Sequence, residues 1–337
     1  MGTERFFLSF GRRLRMIGSD QPRRFWHVLG AALIATLIFL PAVTPAQQPW
    51  LHLNPVVEKL IEGKTVFGVS TSDLSIQNAR SLAQDDNIDY VYIDMEHNPM
   101  RFEQLEMFMA FLIDKAGIVK RGNAQAHPAV FARFAPYSRE EELWVIKHGL
   151  DLGLMGILAN NMETRAQAEH VVAEMRPMQK RDSKIPNPPG LRGTLGGSWF
   201  WGMSGDAYRA RTDLWPLNPQ GDLIFWPMIE TKEGVANADA IAQVPGVSGF
   251  YLGAAGDLTS SYGAPNNQDA DVTGAMLQIM RVCKTRNIPC GGTVSAANVA
   301  QKINDGYKII NFGGANGGIT AENDAARKGA LAAGAKR

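Results

Sequence analysis

The 337-residue chain is short of cysteine, with only Cys283 and Cys290. Two cysteines exclude a disulfide-stapled scaffold and a Cys-rich zinc module. Charge of one sign is not in excess: 34 Lys and Arg face 33 Asp and Glu, a net of +1. That balance gives no support to nucleic-acid binding. The one N-terminal apolar run, Val28 to Leu40, has 13 residues, against the ~20 of a spanning helix. No GxGxxG follows the first strand-like run, so the dinucleotide fingerprint is absent. What is present is a core: 45% hydrophobic and 20% charged residues rule out a disordered or collagen-like chain. The length suits one large α/β barrel or two ordinary domains.

Residues 1–46 read as a separate object. Six arginines up to Arg24 face only Glu4 and Asp20, the apolar run follows, Pro41 ends it, and Thr44-Pro45-Ala46 supplies small residues. This is the layout of a secretory signal peptide; an uncleaved membrane anchor is the alternative. Export, most simply to a periplasm, is the expectation, leaving residues 47–337 as the mature domain. That remainder holds 28 basic and 31 acidic side chains, a net of −3. An oxidising compartment would allow Cys283 and Cys290 to pair. Cys283 reads as late helix and Cys290 as strand start, however, and two buried thiols are the expectation.

Eight β-branched or aromatic runs recur, at 65–70, 89–94, 129–134, 154–159, 223–229, 247–252, 288–294 and 307–312. They are continuously apolar rather than alternating, as strands buried on both faces are. Helical patterns separate them, among them 101–115, 138–148, 162–175, 231–243 and 271–286. Ser138 with Glu141 fits a capping box, and Thr231 with Gly234 marks another helix start. The alternation predicts a single (β/α)₈ TIM barrel, with an open doubly wound sheet as the alternative. One connection is too long: residues 177–222 form an insertion before the fifth strand. With Trp226 in the next strand, it gathers Trp199, Trp201 and Trp215 within 28 residues. A lid or apolar substrate wall, and an oligomer interface or satellite core, are both open readings.

Catalytic groups of such barrels sit at the C-terminal ends of strands. Strand two ends in Asp94-Met95-Glu96-His97, strand three contains Arg133, strand five ends at Glu230, and strand six runs into Gly256-Asp257. Asp94 and Glu96 are read as alternating, so that only one of them faces inward and the other makes an outward salt link or helix contact. A buried Arg needs anionic partners. Two converging carboxylates hold a hard cation together with water and substrate oxygens, and a His can move protons. Together these groups could stabilise an enolate.

At this point the chain resembles the HpcH/HpaI aldolase family, the metal-dependent class II pyruvate aldolases of the phosphoenolpyruvate/pyruvate barrel superfamily. The likeness spans roughly residues 62–335. It is carried by YVYIDMEHNP at 90–99, ARFAP at 132–136, HGLDLG at 148–153, PPGLRG at 188–193, PMIETKEGVANADAI at 227–241 and GVSGFYLGAAGDLTSSYG at 246–263. The resemblance implies that Glu230 and Asp257 ligate a divalent metal (Mg²⁺, Mn²⁺ or Co²⁺) and that Arg133 grips the pyruvate-derived oxygens. It implies that His97 and Asp94 form an acid/base pair, and that Asp151 reaches a neighbouring subunit's site in a trimer or hexamer. The implied substrates are a small 2-oxo acid and an aldehyde, with no nucleic acid and no Schiff-base lysine.

Two departures bear on the substrate contacts. Met228 stands where the family carries Gln, and GAAGD is one residue longer than the family's loop, which puts Gly256 among the amides near the substrate. Met228, Gly256, Trp199 and Trp201 are therefore the expected substrate-contacting set beside Arg133. A second reading stays open on Met228 and the tryptophans: an exported barrel that binds an apolar carboxylate without this chemistry. The alanine-rich last helix is expected to pack on a neighbouring copy. If the leader is cleaved after Ala46, N-terminal sequencing of protein from its native host will begin at Gln47; intact cytosolic protein starting at Met1 would refute export.

Overall fold

The computed structural model describes residues 50–134, 140, 143–253 and 255–337. The leader, the Ser138–Glu141 capping box and Ala254 lie outside the described residues.

Eight parallel strands alternate with helices. They are β1 (Val66–Thr71), β2 (Tyr90–Met95), β3 (Ala129–Phe134), β4 (Gly156–Ala159), β5 (Ile224–Pro227), β6 (Phe250–Leu252), β7 (Cys290–Thr293) and β8 (Ile309–Gly314). The order β5-β4-β3-β2-β1-β8-β7-β6 is that of a barrel cut between β5 and β6. A single parallel bridge, Met228 to Tyr251, spans the cut. The sheet is thus a nearly closed barrel, and each of the eight apolar runs supplies one strand.

Alternate residues of each strand rise through the barrel as columns, because strand side chains have a period of two. Tyr90, Phe131, Trp226 and Tyr251 fill the interior. Trp226 meets Tyr90 edge-on at 5.3 Å and Phe131 at 4.9 Å, and stacks on Tyr251 at 6.2 Å. Glycines make room for these rings. A Cβ on Gly68 would lie 2.4 Å from the Tyr90 ring, and one on Gly156 would lie 2.7 Å from Phe131. The same columns continue upward as Tyr92, Asp94 and Glu96, as Arg133, and as Met228 and Glu230. A stiff aromatic plug therefore fixes the height and direction of the polar groups above it.

The helices are α1 (Pro55–Ile61), α2 (Ile76–Ala83), α3 (Phe102–Leu112), α4 (Lys115–Arg121), α5 (Leu143–Asp151), α6 (Arg165–Met175), α7 (Gly205–Arg211), α8 (Lys232–Ala242), α9 (Gly256–Tyr262), α10 (Ala270–Arg286), α11 (Val299–Asp305) and α12 (Ala321–Ala332). Thr231 caps α8 by accepting from the Gly234 amide, as its spacing predicts. A capping box at Thr164 and Gln167 starts α6. The last helix does not wait for a neighbour. It packs on α11 and β8 of its own chain, with Ala326 and Ala330 buried and Asn323 Nδ2 donating to the Phe312 carbonyl at 2.7 Å.

Cys283 and Cys290 form a disulfide, against the expectation of two thiols. Helix α10 ends at Arg286 and Asn287 turns left-handed (φ 53°). The chain therefore doubles back, and the two Cα atoms come within 6.1 Å.

The tryptophan-rich insertion also departs from expectation. It follows α6 and precedes β5, and a helix-to-strand connection returns the chain to the N-terminal ends of the strands. It therefore cannot cover the catalytic end of its own barrel. Instead it is pinned to the opposite end. Trp201 is buried and its Nε1 donates to the Gly153 carbonyl at 3.0 Å, while Tyr208 donates to the Leu150 carbonyl at 3.1 Å. Buried Arg176 pairs bidentately with Asp213 at 2.8 and 2.9 Å, and buried Arg192 donates to the Met175 and Thr212 carbonyls. Trp199 alone of this group stands out, 66% exposed. The satellite-core reading thus holds for Trp201. Trp201→Ala will cost about 3–5 kcal/mol in chemical unfolding, whereas Trp199→Ala will stay within about 0.5 kcal/mol.

Candidate active site

Asp94 and Arg133 are paired across β2 and β3 in the strand register, so both enter the barrel at one level. Arg133 Nε and Nη2 donate to Asp94 Oδ1 and Oδ2 at 3.2 and 2.7 Å. Its Nη1 lies 2.9 Å from Glu96 Oε2. The expectation that Asp94 and Glu96 face opposite ways is wrong: residues two apart share a strand face. Glu96 is the site residue that the sequence reading passed over, and its spacing from Asp94 was the available signal.

Asp94 Oδ1 also accepts the Glu96 and His97 amides at 3.1 and 3.3 Å. Its carboxylate is thus fully committed to positioning. The His97 ring is exposed, and its Nε2 lies 3.4 Å from Glu96 Oε2 rather than on Asp94. The expected His97–Asp94 pair is in fact a His97–Glu96 pair. Burial opposes ionisation of both carboxylates. For Asp94 the Arg133 hydrogen bonds and charge outweigh burial, and the net shift is downward. For Glu96 burial dominates over Arg133 and His97, with Asp94 and Asp257 adding repulsion, and the net shift is upward. Arg133 itself is held charged: burial pulls its pKa down, but Asp94 and Glu96 more than compensate.

Glu230 follows β5 and is buried, 7% exposed. Its Oε2 accepts the Asn161 amide at 3.2 Å. Its Oε1 lies against Gly253, where a Cβ would come within 3.1 Å. Burial raises its pKa to about 7, with Asp257 and Glu96 adding to the rise and the Asn161 amide and Arg133 opposing it. Asp257 lies in the first turn of α9, exposed and close enough to act on both Glu230 and Glu96. Met228, at the barrel closure, is 1% exposed and reaches the Gly253 position at 3.4 Å, so it contributes to the dry surroundings of Glu230. Gly256 opens α9, with nothing within 4 Å of a Cβ placed there; Ala255 before it takes φ 64° to accommodate the longer loop.

Asp94, Glu96, Arg133, Glu230 and Asp257 thus gather at the C-terminal end of the barrel, with His97 at the rim. Asp151, Trp199 and Trp201 do not join them. Asp151 ends α5 at the N-terminal end, salt-bridged to Lys147, and accepts the Gly196 amide at 2.8 Å. An apolar cavity of about 260 Å³ beside Trp199, Phe200, Trp201 and Met109 lies at that end too, away from the carboxylates.

A parallel barrel that gathers four carboxylates and, among the described residues, the Arg133 guanidinium at its C-terminal mouth has its reactive groups where barrel enzymes carry them. The chain belongs to the HpcH/HpaI aldolase/citrate lyase family, whose sequence profile matches residues 72–321. It is 29% identical over 211 residues to the hydroxypyruvate/pyruvate aldolase of Roseobacter denitrificans, covering 63% of this chain and 70% of that one. It is 27% identical to the 2-keto-3-deoxy-L-rhamnonate aldolase of Salmonella gallinarum, covering 64% and 68%. A solved HpcH/HpaI aldolase/citrate lyase family protein from Burkholderia cenocepacia superposes with a TM-score of 0.63 at 25% identity, covering 77% of this chain and 93% of the other. The chain is accordingly an enzyme, and its lyase class follows from the family.

A raised carboxylate pKa makes the fold depend on pH. The Glu230 contribution to stability is fully present below pH 4.5 and is lost as pH rises through about 7. In chelator-treated protein, unfolding free energy should fall by about 3 kcal/mol across that window. Glu230→Gln should flatten this slope; a wild-type slope surviving the substitution would assign it to another group.

Proposed function

We propose that the enzyme is a divalent-metal-dependent aldolase that makes or breaks the C3–C4 bond of a 4-hydroxy-2-oxo acid through the pyruvate enolate. The observation that carries this reading is the charge imbalance at the mouth. Among the described residues Asp94, Glu96, Glu230 and Asp257 gather near one guanidinium, and Arg133 is already engaged by the first two. Among the described residues no group of three His, Cys, Asp or Glu is arranged to hold an ion by itself. Two carboxylates are what a hard cation takes when water and substrate complete its shell, so Glu230 and Asp257 fit as the protein's share. When bound, the ion would supply positive charge where the enolate oxygen develops negative charge.

The chain's residues do the rest. Arg133, locked in plane by Asp94 and Glu96, orients the carboxylate and keto oxygens of the 2-oxo acid and adds its own charge. His97, exposed at the rim and backed by Glu96, accepts the C4 hydroxyl proton. The C3–C4 bond then breaks, its electron pair passes to the keto oxygen, and the aldehyde leaves; the enolate carbon takes the proton back from His97 to give pyruvate, and the same transfer in reverse exchanges the methyl protons of pyruvate alone. Met228 and the buried barrel wall keep water from Glu230.

The reading extends to assembly and location. A trimer or hexamer is supported by large apolar side chains left exposed on α3, α4, α5 and the insertion, among them Phe111, Val119, Trp144 and Trp199. Asp151 and Trp199 travel together, since the Gly196 amide binds Asp151. A copy that brings Asp151 to its neighbour's mouth brings Trp199 as an apolar wall. Export to a periplasm is supported by the Cys283–Cys290 bridge.

The test uses pyruvate alone. In D₂O with Mg²⁺, Mn²⁺ or Co²⁺, the pyruvate methyl proton signal should decay and a chelator should stop the decay. Glu230→Gln and Arg133→Ala should abolish exchange, and His97→Ala should slow it by roughly 10²–10⁴-fold. Metal-loaded protein that exchanges no protons from pyruvate or longer 2-oxo acids would end this reading.

A further inference from the structure

Strand β4 brings no charged group to the mouth, yet its C-terminal end touches the site. Between β4 and β5 the ladder is regular as far as Ala159 and Pro227. The Ile224 N–H donates to the Met155 carbonyl at 2.9 Å and the Met228 N–H to the Ala159 carbonyl at 2.8 Å. In an evenly spaced parallel ladder, a residue that donates to position 159 accepts in return from the N–H of position 161. Asn161 is therefore due to donate to the Met228 carbonyl. Instead Met162 takes that carbonyl, at 2.9 Å. Asn161 is thus one extra residue in β4, which is what a β-bulge is.

The amide that the bulge frees from the ladder goes to the site. Asn161 N–H donates to Glu230 Oε2 at 3.2 Å. The extra residue fits by turning left-handed, φ 47°, a conformation that asparagine adopts more readily than most side-chain-bearing residues. The bulge is tied down on both sides. Met162 holds it to β5, and Asn160 Nδ2 donates to the Phe134 carbonyl at 3.3 Å on the β3 side. Asn160 and Asn161 are both buried. Among the described residues the Asn161 carboxamide makes no hydrogen bond, so its contact with the site runs through the backbone.

The distribution of left-handed residues points the same way. Among the described residues three that are not glycine have positive φ: Asn161, Ala255 and Asn287. Asn287 turns the chain at the end of α10. The other two stand at the mouth, Asn161 on Glu230 and Ala255 two residues before Asp257. Strain of this kind persists where the surroundings impose it, and it collects at functional sites.

We propose that Asn161 is a positioning residue: the bulge at the end of β4 aims its N–H at one oxygen of Glu230 and so reserves the other, Oε1, for the divalent ion. The inference rests on the metal-dependent reading above. The last torsion of a Glu side chain is broad and two-fold, and an amide fixed on one oxygen removes that freedom. The free oxygen lies on the Gly253 side, from which the chain runs on to Asp257. A ligand oxygen held in place by its own partner needs no rearrangement when an ion arrives.

Substitutions at position 161 separate backbone from side chain. Glycine takes the left-handed region freely, alanine does so at a cost, and branched valine resists it most. The readout is the Mn²⁺ dissociation constant of chelator-stripped protein, from electron paramagnetic resonance of the free ion, with pyruvate proton exchange measured beside it. Asn161→Val should weaken Mn²⁺ binding by about 10–100-fold, the usual effect of losing a ligand's own partner. Asn161→Ala should weaken it less, and Asn161→Gly should rescue it to within about threefold of wild type. Saturating Mn²⁺ should restore much of the exchange that Asn161→Val loses at limiting Mn²⁺, which a loss of folded protein would not allow. Valine and alanine variants that bind Mn²⁺ like wild type overturn the proposal. So does a glycine variant as weak as the valine one, which would place the role in the carboxamide. If the valine variant does not fold, the alanine and glycine pair decides on the same terms. Wild-type enzyme that binds Mn²⁺ and exchanges pyruvate protons while the variants do not differ refutes the bulge's role alone. Wild-type enzyme that does neither removes the metal-dependent reading and this role with it.

Discussion

The guanidinium of Arg133 inside the barrel mouth is the constraint on which the site depends. A buried charge of this kind costs several kcal/mol unless it is paired and hydrogen-bonded. The register that sets Asp94 opposite Arg133 satisfies it from the neighbouring strand, and Glu96 satisfies it from one residue pair higher. Three consequences follow. The plane of the guanidinium is fixed, Asp94 is committed to holding it, and among the described residues Glu230 and Asp257 take no ion pair. On the proposed reading, the first gives a rigid oxygen clamp, the second leaves His97 and Glu96 as the mobile-proton pair, and the third leaves a place for a divalent ion.

The two ends of the barrel divide the work. At the N-terminal end, the insertion and α6 bury Arg176, Arg192, Trp201 and Tyr208, and Trp201 and Tyr208 are tied to the Gly153 and Leu150 carbonyls just ahead of β4. That end adds stability and presents Trp199. At the C-terminal end, side chains emerge from columns whose lower members are the interlocked rings of Tyr90, Phe131, Trp226 and Tyr251. Precision at the mouth is inherited from that plug, since a side chain on a strand is held more tightly than one on a loop.

Much of this was legible in the sequence, for physical reasons. Strands buried on both faces are continuously apolar, so all eight could be read, and a lone Arg or Glu at the end of such a run stands out, as Arg133 and Glu230 do. What failed was three-dimensional direction. Glu96 was set aside although a two-residue spacing puts it beside Asp94. The insertion was weighed as a lid although a helix-to-strand connection returns to the other end of the barrel. Cys283 and Cys290 looked separate because sequence does not display the left-handed turn at Asn287 that doubles the chain back. Short helices such as α1, α4 and α9, the last carrying Asp257, have too few turns to leave a period.

The same repulsion that burdens the empty fold gives the proposed metal site its affinity. Burial beside Asp257 and Glu96 holds a proton on Glu230 up to about pH 7. A divalent ion must displace that proton, so its binding strengthens as pH rises through this range. Once held, it removes the carboxylate repulsion that the folded chain otherwise carries, and the gain appears as stability as well as occupancy. Replacing Glu230 or Asp257 by neutral residues would relieve that repulsion and, on the proposed reading, remove the metal site with it. Such opposition between stability and function is the mark of a cluster kept for its chemistry rather than for the fold.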